Sequence, residues 1–303
     1  MQQRSLFPDG FEVQEQAFAA LRELDVPAAL ALVRRARRID ARLVDLDGLE
    51  EALVWLQQRL VAAAEPELLA AVLRAVPEDA AATRLSAVAA MFVDQAIARW
   101  LSARVPRSAA FLDRERRVPS ALVDLLLGNA PAARVSLLAA VDAGHAEHAG
   151  VLGCLGDACL IDQRPDEANA CYVRCLLLDP FALDTWRLRH AGLRACALEL
   201  ASRCGVEAPM HLLATAWLEG HLHVPTRNAW LPPARLVNLL TEAEGSSPGA
   251  RLRQFGLLLY QDRTLADRPI DVARREQMAA LWPDGFRRFM AKCRAVEQRS
   301  ATS

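Results

Sequence analysis

Leu46, Leu49, Leu53, Leu56 and Leu60 recur at steps of three and four. That spacing lines them along one face of an α-helix and leaves Glu50, Glu51, Gln57 and Gln58 to the other faces. No segment of the chain shows the two-residue alternation of a strand, and none is rich in Val, Ile and Thr together. Of the 303 residues, 53% are hydrophobic, mostly Ala and Leu, which lose little freedom in a helix. The sequence predicts an all-α fold with ample material for a core.

Helix boundaries follow from punctuation. Asp25-Val26-Pro27 opens a helix carrying Leu30, Val33 and Ala36, and Glu65-Pro66 and Pro77-Glu78-Asp79 open two more. An Ala-rich helix runs from about 79 to 102, ahead of Pro106. Short helices then pair up: 118–127 closed by Gly128-Asn129, 130–141 broken at Gly144, 147–161, 165–179, and one from Asp184-Thr185-Trp186 to Cys204-Gly205. Residues 221–233 hold three prolines and Trp230 and read as a long loop, and 262–269 reads as a further connection. Helices near 234–243, 250–260, 270–281 and 286–297 complete the chain, with a frayed end from Arg299. Three segments result: 1–110, 111–205 and 206–303, the last continuing the helical stack.

Within the middle segment, Leu152, Leu155-Gly156 and Cys159 fall on one helix, Ala168, Tyr172 and Cys175 on the next, and Pro180 at its end. In order and spacing, residues 149–182 resemble one tetratricopeptide repeat, a family that has Tyr where Cys159 stands and Ala where Cys175 stands. Gly156 and Ala168 lack bulk, so the paired helices can cross closely; Leu155 and Tyr172 fill the space beside the crossing, and Pro180 stops the second helix. A step of 34 residues from Leu152 lands on Trp186, but Arg189-His190 replace Leu-Gly, and the 118–141 pair lacks the Gly. One good repeat thus sits between two degenerate ones. The resemblance implies a right-handed stack of helical hairpins, an α-solenoid or superhelix, because a single repeat cannot bury its own core.

The resemblance also implies a function: a scaffold that binds a peptide or helix of a partner protein on a concave face lined by the first helix of each unit. Gly150, Gly153 and Asp157 lie on that face here, and Trp230 of the later loop is a further candidate contact. Asp157 argues against gripping a partner's C-terminal carboxylate, which it would repel. Each helical Gly costs about 0.8–1.0 kcal/mol relative to Ala. Packing explains Gly156 and the helix start explains Gly150. Gly153 has no internal reason in the sequence, so close approach of another backbone, from a partner or a neighbouring element, is the expectation there.

Other chemistry finds little footing. The chain carries 36 basic and 37 acidic residues, a net charge of −1, without the positive surplus of a phosphate-tracking protein. Lys292 is the one lysine; the Arg bias fits a GC-rich bacterial genome. Arg34-Arg35-Ala36-Arg37-Arg38 complements a helix C-terminus. Arg287-Arg288 with Lys292 and Arg294 has only Phe286 and Phe289 interleaved, which read as core, so nucleic-acid binding is the weakest of three readings. The seven cysteines, at 154, 159, 171, 175, 196, 204 and 293, are odd in number and mostly helical. They suggest reduced thiols in the cytoplasm rather than a disulfide framework, and Cys154, Cys159, Cys171 and Cys175 lack the paired spacing of a zinc site. His145 with His148, and His211 with His221 and His223, lack the carboxylate of a metalloprotease-type motif and read as loop or cap residues. No phosphate loop, nucleophile elbow or acid pair appears, so no catalytic residue, metal or cofactor is assigned. The start lacks a signal-peptide layout, and no uncharged apolar run reaches the ~18–20 residues of a spanning helix. The second reading is an enzyme or small-molecule binder at 211–233, its pocket lined by Trp230, His221 and His223.

Leu6-Phe7-Pro8-Asp9-Gly10-Phe11 and Leu281-Trp282-Pro283-Asp284-Gly285-Phe286 differ at one position in six. Each reads as a helix-opening turn with glycine at positive φ and its aromatics in the core. The sharper alternative is that the two are equivalent capping or contact elements at the ends of an assembly.

Overall fold

The computed structural model describes residues 9–23, 25–46, 48–62, 87–103, 111–113, 118–185, 187–224, 231–264 and 271–301. The chain divides into two compact units, Met1–Ser136 and Leu137–Ser303. The helix starts read at 65–66 and 77–79, Trp186 and Trp230 lie outside the described residues.

In the first unit, α1 (Gly10–Arg22) and α2 (Val26–Ile39) form a hairpin, each capped by an Asp side chain. Asp9 accepts the Glu12 N–H at 2.7 Å and Asp25 accepts that of Ala28 at 3.0 Å, each satisfying an orphan donor of the first turn. Four leucines of the stripe are buried, while the side chain of the fifth, Leu60, lies outside the described residues. Leu46 precedes α3 (Leu49–Ala62), and Leu46, Leu49, Leu53 and Leu56 are all at 0% exposure. The next described helix, α4 (Ala87–Ser102), stacks Phe92 on Phe18 with ring centroids 4.3 Å apart, and the Arg22 guanidinium lies 4.9 Å from the Phe92 ring.

Among the described residues one strand pairing exists, β1 (Phe111–Asp113) antiparallel to β2 (Val118–Pro119). A helix was expected from Val118; the structure starts α5 at Ala121 and ends it at Leu126. Pro119 accounts for this, since it disfavours helical φ/ψ at the residue before it. The next helix, α6 (Ala130–Ala140), runs across the division between units.

The second unit holds two helix pairs in succession. The first is α7 (Ala149–Ile161) with α8 (Pro165–Leu178), and the second is α9 (Ala191–Cys204) with α10 (Ala208–Glu219), joined by a 3₁₀ turn at Gly205–Glu207. Four more helices follow: α11 (Pro233–Glu242), α12 (Pro248–Thr264), α13 (Val272–Leu281) and α14 (Pro283–Ala301). Around α10 pack α8, α9, α12 and α14, so every residue from His211 to Trp217 is buried. Lys292 of α14 donates to the Trp217 carbonyl at the α10 C-terminus and sits 4.5 Å over the Trp217 ring. The chain's one lysine therefore caps a helix rather than forming a basic patch.

Further details differ from the sequence reading. The helix expected from Asp184 begins at Ala191, because Asp184 folds back onto Arg187 (2.7 Å) and His190 supplies the cap. Thr264, placed in a connection, still belongs to α12. The Pro-Asp-Gly glycines do not take positive φ: Gly10 and Gly285 lie inside α1 and α14. Close packing explains them instead. A Cβ on Gly285 would come 2.1 Å from the Trp282 ring, and one on Gly10 would meet Leu43 at 3.1 Å. The two motifs also end differently, with Phe11 at 63% exposure and Phe286 half-buried, so Phe11 is not core. Among the described residues no helix is long and apolar enough to cross a membrane.

Candidate functional site

The α7–α8 pair is closed by its own signature residues. A Cβ on Gly156 would lie 2.6 Å from the Tyr172 ring, so only glycine lets that ring, at 0% exposure, sit on the α7 backbone. Ala168, Cys159 and Cys175 are buried beside it, in packing roles. Leu152 and Leu155 are buried, and Pro180 follows the end of α8 at Leu178.

The expected partner contacts of α7 turn inward. The Tyr172 hydroxyl donates to Asp157 at 2.7 Å and the Arg189 N–H donates to the same oxygen at 2.9 Å. Burial pushes the Asp157 carboxyl up to about 6, with those two bonds pulling the other way. Gly153 is buried, and a Cβ there would meet Leu183 at 3.3 Å and the Cys175 sulfur at 3.5 Å. Its missing side chain makes room for Leu183, an internal reason that Leu183's distance in sequence concealed. Gly150, the second residue of α7, is half-buried.

Histidines serve mainly as caps and packing groups. His148 accepts the Val151 N–H at 3.3 Å and opens α7; His190 accepts that of Leu193 at 3.0 Å and opens α9. The His190 ring meets Tyr172 edge-on at 5.8 Å, and burial lowers its pKa. His221 lies over Gly192, where a Cβ would be 2.5 Å from Nδ1, and its Nε2 is 3.7 Å from Glu219. The backbone of His223 exchanges two hydrogen bonds of 2.8 Å with the Asn169 amide. Among the described residues no three His, Cys, Asp or Glu side chains are grouped to hold a metal ion.

The basic runs are largely engaged within their own units. Arg34 pairs with Glu50 at 2.7 Å, Arg37 donates to the Leu46 carbonyl at 2.8 Å, and Arg287 pairs with Asp284.

The α9–α10 corner carries a cavity of about 200 Å³ on each of two sides. One has an uncharged, mainly apolar wall of Ala197, Ala201, Val206, Ala208, Pro209 and Leu212 with Thr185 and Gly205, and Val206 stands at 89% exposure. The other is polar on one side, with Cys204, His211, Thr215, Arg203, Glu219 and Arg288 set against Leu200, Leu252 and Trp282. There the Cys204 sulfur is 3.5 Å from His211 Nδ1. His211, at 8% exposure, has a buried Nε2 with no hydrogen-bond partner. Sequence reasoning missed this pair because a Cys and a His seven residues apart across a corner match no motif. The available signal was Gly205, which ends α9 at φ +56° and folds the two residues toward one cavity.

No family model, curated protein or solved structure matches the chain.

Proposed function

We propose that the protein is an interaction scaffold of tetratricopeptide type, a stack of helical hairpins that docks an apolar side chain from a partner's peptide or helix. The α7–α8 pair supports this reading with Gly156, Ala168 and Tyr172 in the packing roles the repeat demands, and α9–α10 follows it as a second hairpin. In this reading the docking surface lies away from the first helix of the repeat, where Leu183 packs against Gly153 and Tyr172 donates to Asp157. One observation carries the proposal, the apolar cavity at the α9–α10 corner with Val206 standing 89% exposed beside small-residue walls. Its uncharged lining fits a short aliphatic anchor rather than a charged one.

Selection of displayed peptides on the full chain tests this reading. The selected peptides share an apolar anchor residue. Filling the cavity (Ala201→Phe) or charging its rim (Val206→Asp) weakens them about 10- to 100-fold, the equivalent of one buried aliphatic side chain. Peptides whose affinity ignores both substitutions, in variants with unchanged circular dichroism, would sink the proposal. A small-molecule role for 211–233 finds support only at His211, since His221 and His223 are engaged in packing and backbone pairing.

A further inference from the structure

Among the seven cysteines, Cys204 is the one that lines either cavity at the α9–α10 corner. Cys159, Cys171, Cys175, Cys196 and Cys293 are buried, and the half-buried Cys154 has its thiol pushed far up by desolvation and by Asp157 and Asp184. Cys204 differs on three independent counts. It is half-buried in the wall of an open cavity, His211 Nδ1 is 3.5 Å from its sulfur, and Arg203, Arg288 and Glu219 line the same cavity, with Arg203 also paired to Glu199 at 3.0 Å. Arg203, Arg288 and Glu219 are all exposed, so the mouth of the cavity faces solvent. His211 is the unexplained piece. A buried imidazole nitrogen without a partner needs a reason, and packing alone would be met by an apolar side chain.

We infer that Cys204 is a nucleophilic thiol served by His211 as base, and that its cavity admits a small anionic disulfide to form a mixed disulfide on Cys204. Thiol chemistry at the C-terminal end of a helix, where carbonyls converge, needs a base that takes the proton as attack begins. Desolvation lowers the His211 pKa and so favours the neutral ring, whose Nδ1 accepts in the tautomer that carries its hydrogen on Nε2. The step balances. His211 Nδ1 takes the Sγ proton, and Sγ attacks one sulfur of the disulfide. The S–S bond breaks, and the departing thiolate takes the proton back from His211 and leaves as a thiol. One sulfur of the small disulfide is retained on Cys204, the other is reduced, and excess thiol reverses the reaction. Because Nε2 has no partner, the imidazolium is poorly satisfied and passes its proton on. Arg203 and Arg288 favour a disulfide that carries carboxylates.

The test titrates the native full-length chain with two aromatic disulfides, dianionic 5,5′-dithiobis(2-nitrobenzoate) and neutral 2,2′-dithiodipyridine, and identifies the labelled residue by mass spectrometry. One thiol reacts in the fast phase, at Cys204, and Cys204→Ser removes that phase. His211→Gln slows it about 10- to 100-fold with both reagents, the scale of a lost general base. Loosened packing would accelerate labelling, so slowing cannot come from a damaged fold. Arg203→Gln with Arg288→Gln slows the dianionic reagent about 10-fold and leaves the neutral one within about 2-fold. A fast phase that survives Cys204→Ser overturns the site. A rate unchanged or raised in His211→Gln overturns the base, and equal slowing of both reagents in the Arg variant overturns the anionic preference.

Discussion

The two hairpins that follow one another in the second unit are built from similar helices and end up with opposite interiors. Between α7 and α8 the two interior glycines are covered: Tyr172 covers Gly156, and Leu183 with Cys175 covers Gly153. Between α9 and α10 the chain turns through Gly205–Glu207 and leaves a cavity on either side, one holding a histidine nitrogen with no partner. Residues that close a hairpin fill its interior, and open space survives at the corner where that filling is absent. The residues that make a hairpin legible are for that reason a poor guide to where the open space lies.

The sharpest break of this comparison is a truncation in each hairpin. Tyr172→Ala removes a ring at 0% exposure from a filled site and its hydrogen bond to Asp157, and should cost about 3–5 kcal/mol. Leu212→Ala removes a side chain that already borders a cavity, and should cost nearer about 2 kcal/mol, the lower end for buried leucines. Urea unfolding of both variants measures the pair. Equal losses would mean that the α9–α10 corner is packed as tightly as the signature hairpin.

Acid provides the next test. Burial raises the Asp157 pKa from 3.8 to about 6, so between those values the folded state holds a proton that the unfolded state releases. The stability that goes with the protonated carboxyl is fully present below pH 3.8 and is lost as pH rises through about 6. Asp157→Asn cannot ionise. Its stability relative to the parent should therefore climb by up to about 3 kcal/mol from pH 4 to pH 7. A flat difference across that range would mean that Asp157 is solvated and available to a partner, which would restore the concave-face reading.

Much of this molecule is legible in its residues, and what is not has a common cause. The leucine stripe, the helix start at Asp25-Val26-Pro27 and the Gly156–Tyr172 crossing are local or one hairpin apart, so period and spacing reach them. Gly153 was misread because its neighbour, Leu183, lies 30 residues on, beyond the end of the repeat. Similarly, Gly285 carries turn chemistry in sequence but is helical, because the Trp282 ring occupies the place of its Cβ. The Cys204–His211 pair depends on how a 3₁₀ corner folds two helix ends together, which no periodicity encodes.

The smallest effects belong to three glycines and discriminate most finely. Glycine to alanine inside a helix gains about 1 kcal/mol from backbone entropy wherever the new methyl finds room. At Gly156 it finds none: the Tyr172 ring carbons would be 2.6–3.0 Å away, so overpacking outweighs the gain and Gly156→Ala should lose about 1–2 kcal/mol. At Gly256, where α12 faces α10, the nearest atoms are Leu213 carbons at 3.5–3.7 Å, an ordinary contact distance, and Gly256→Ala should gain about 0.5–1 kcal/mol. Gly153 falls between them. Its new methyl would press the Leu183 tip at 3.3 Å, and that tip can shift a few tenths of an ångström, so gain and strain nearly cancel and the change should stay within about 0.5 kcal/mol of zero. The order of the three, read from denaturation midpoints, checks the packing directly. A clear gain at Gly153, matching that at Gly256, would mean that Leu183 does not hold that space, and the groove over α7 would be open after all.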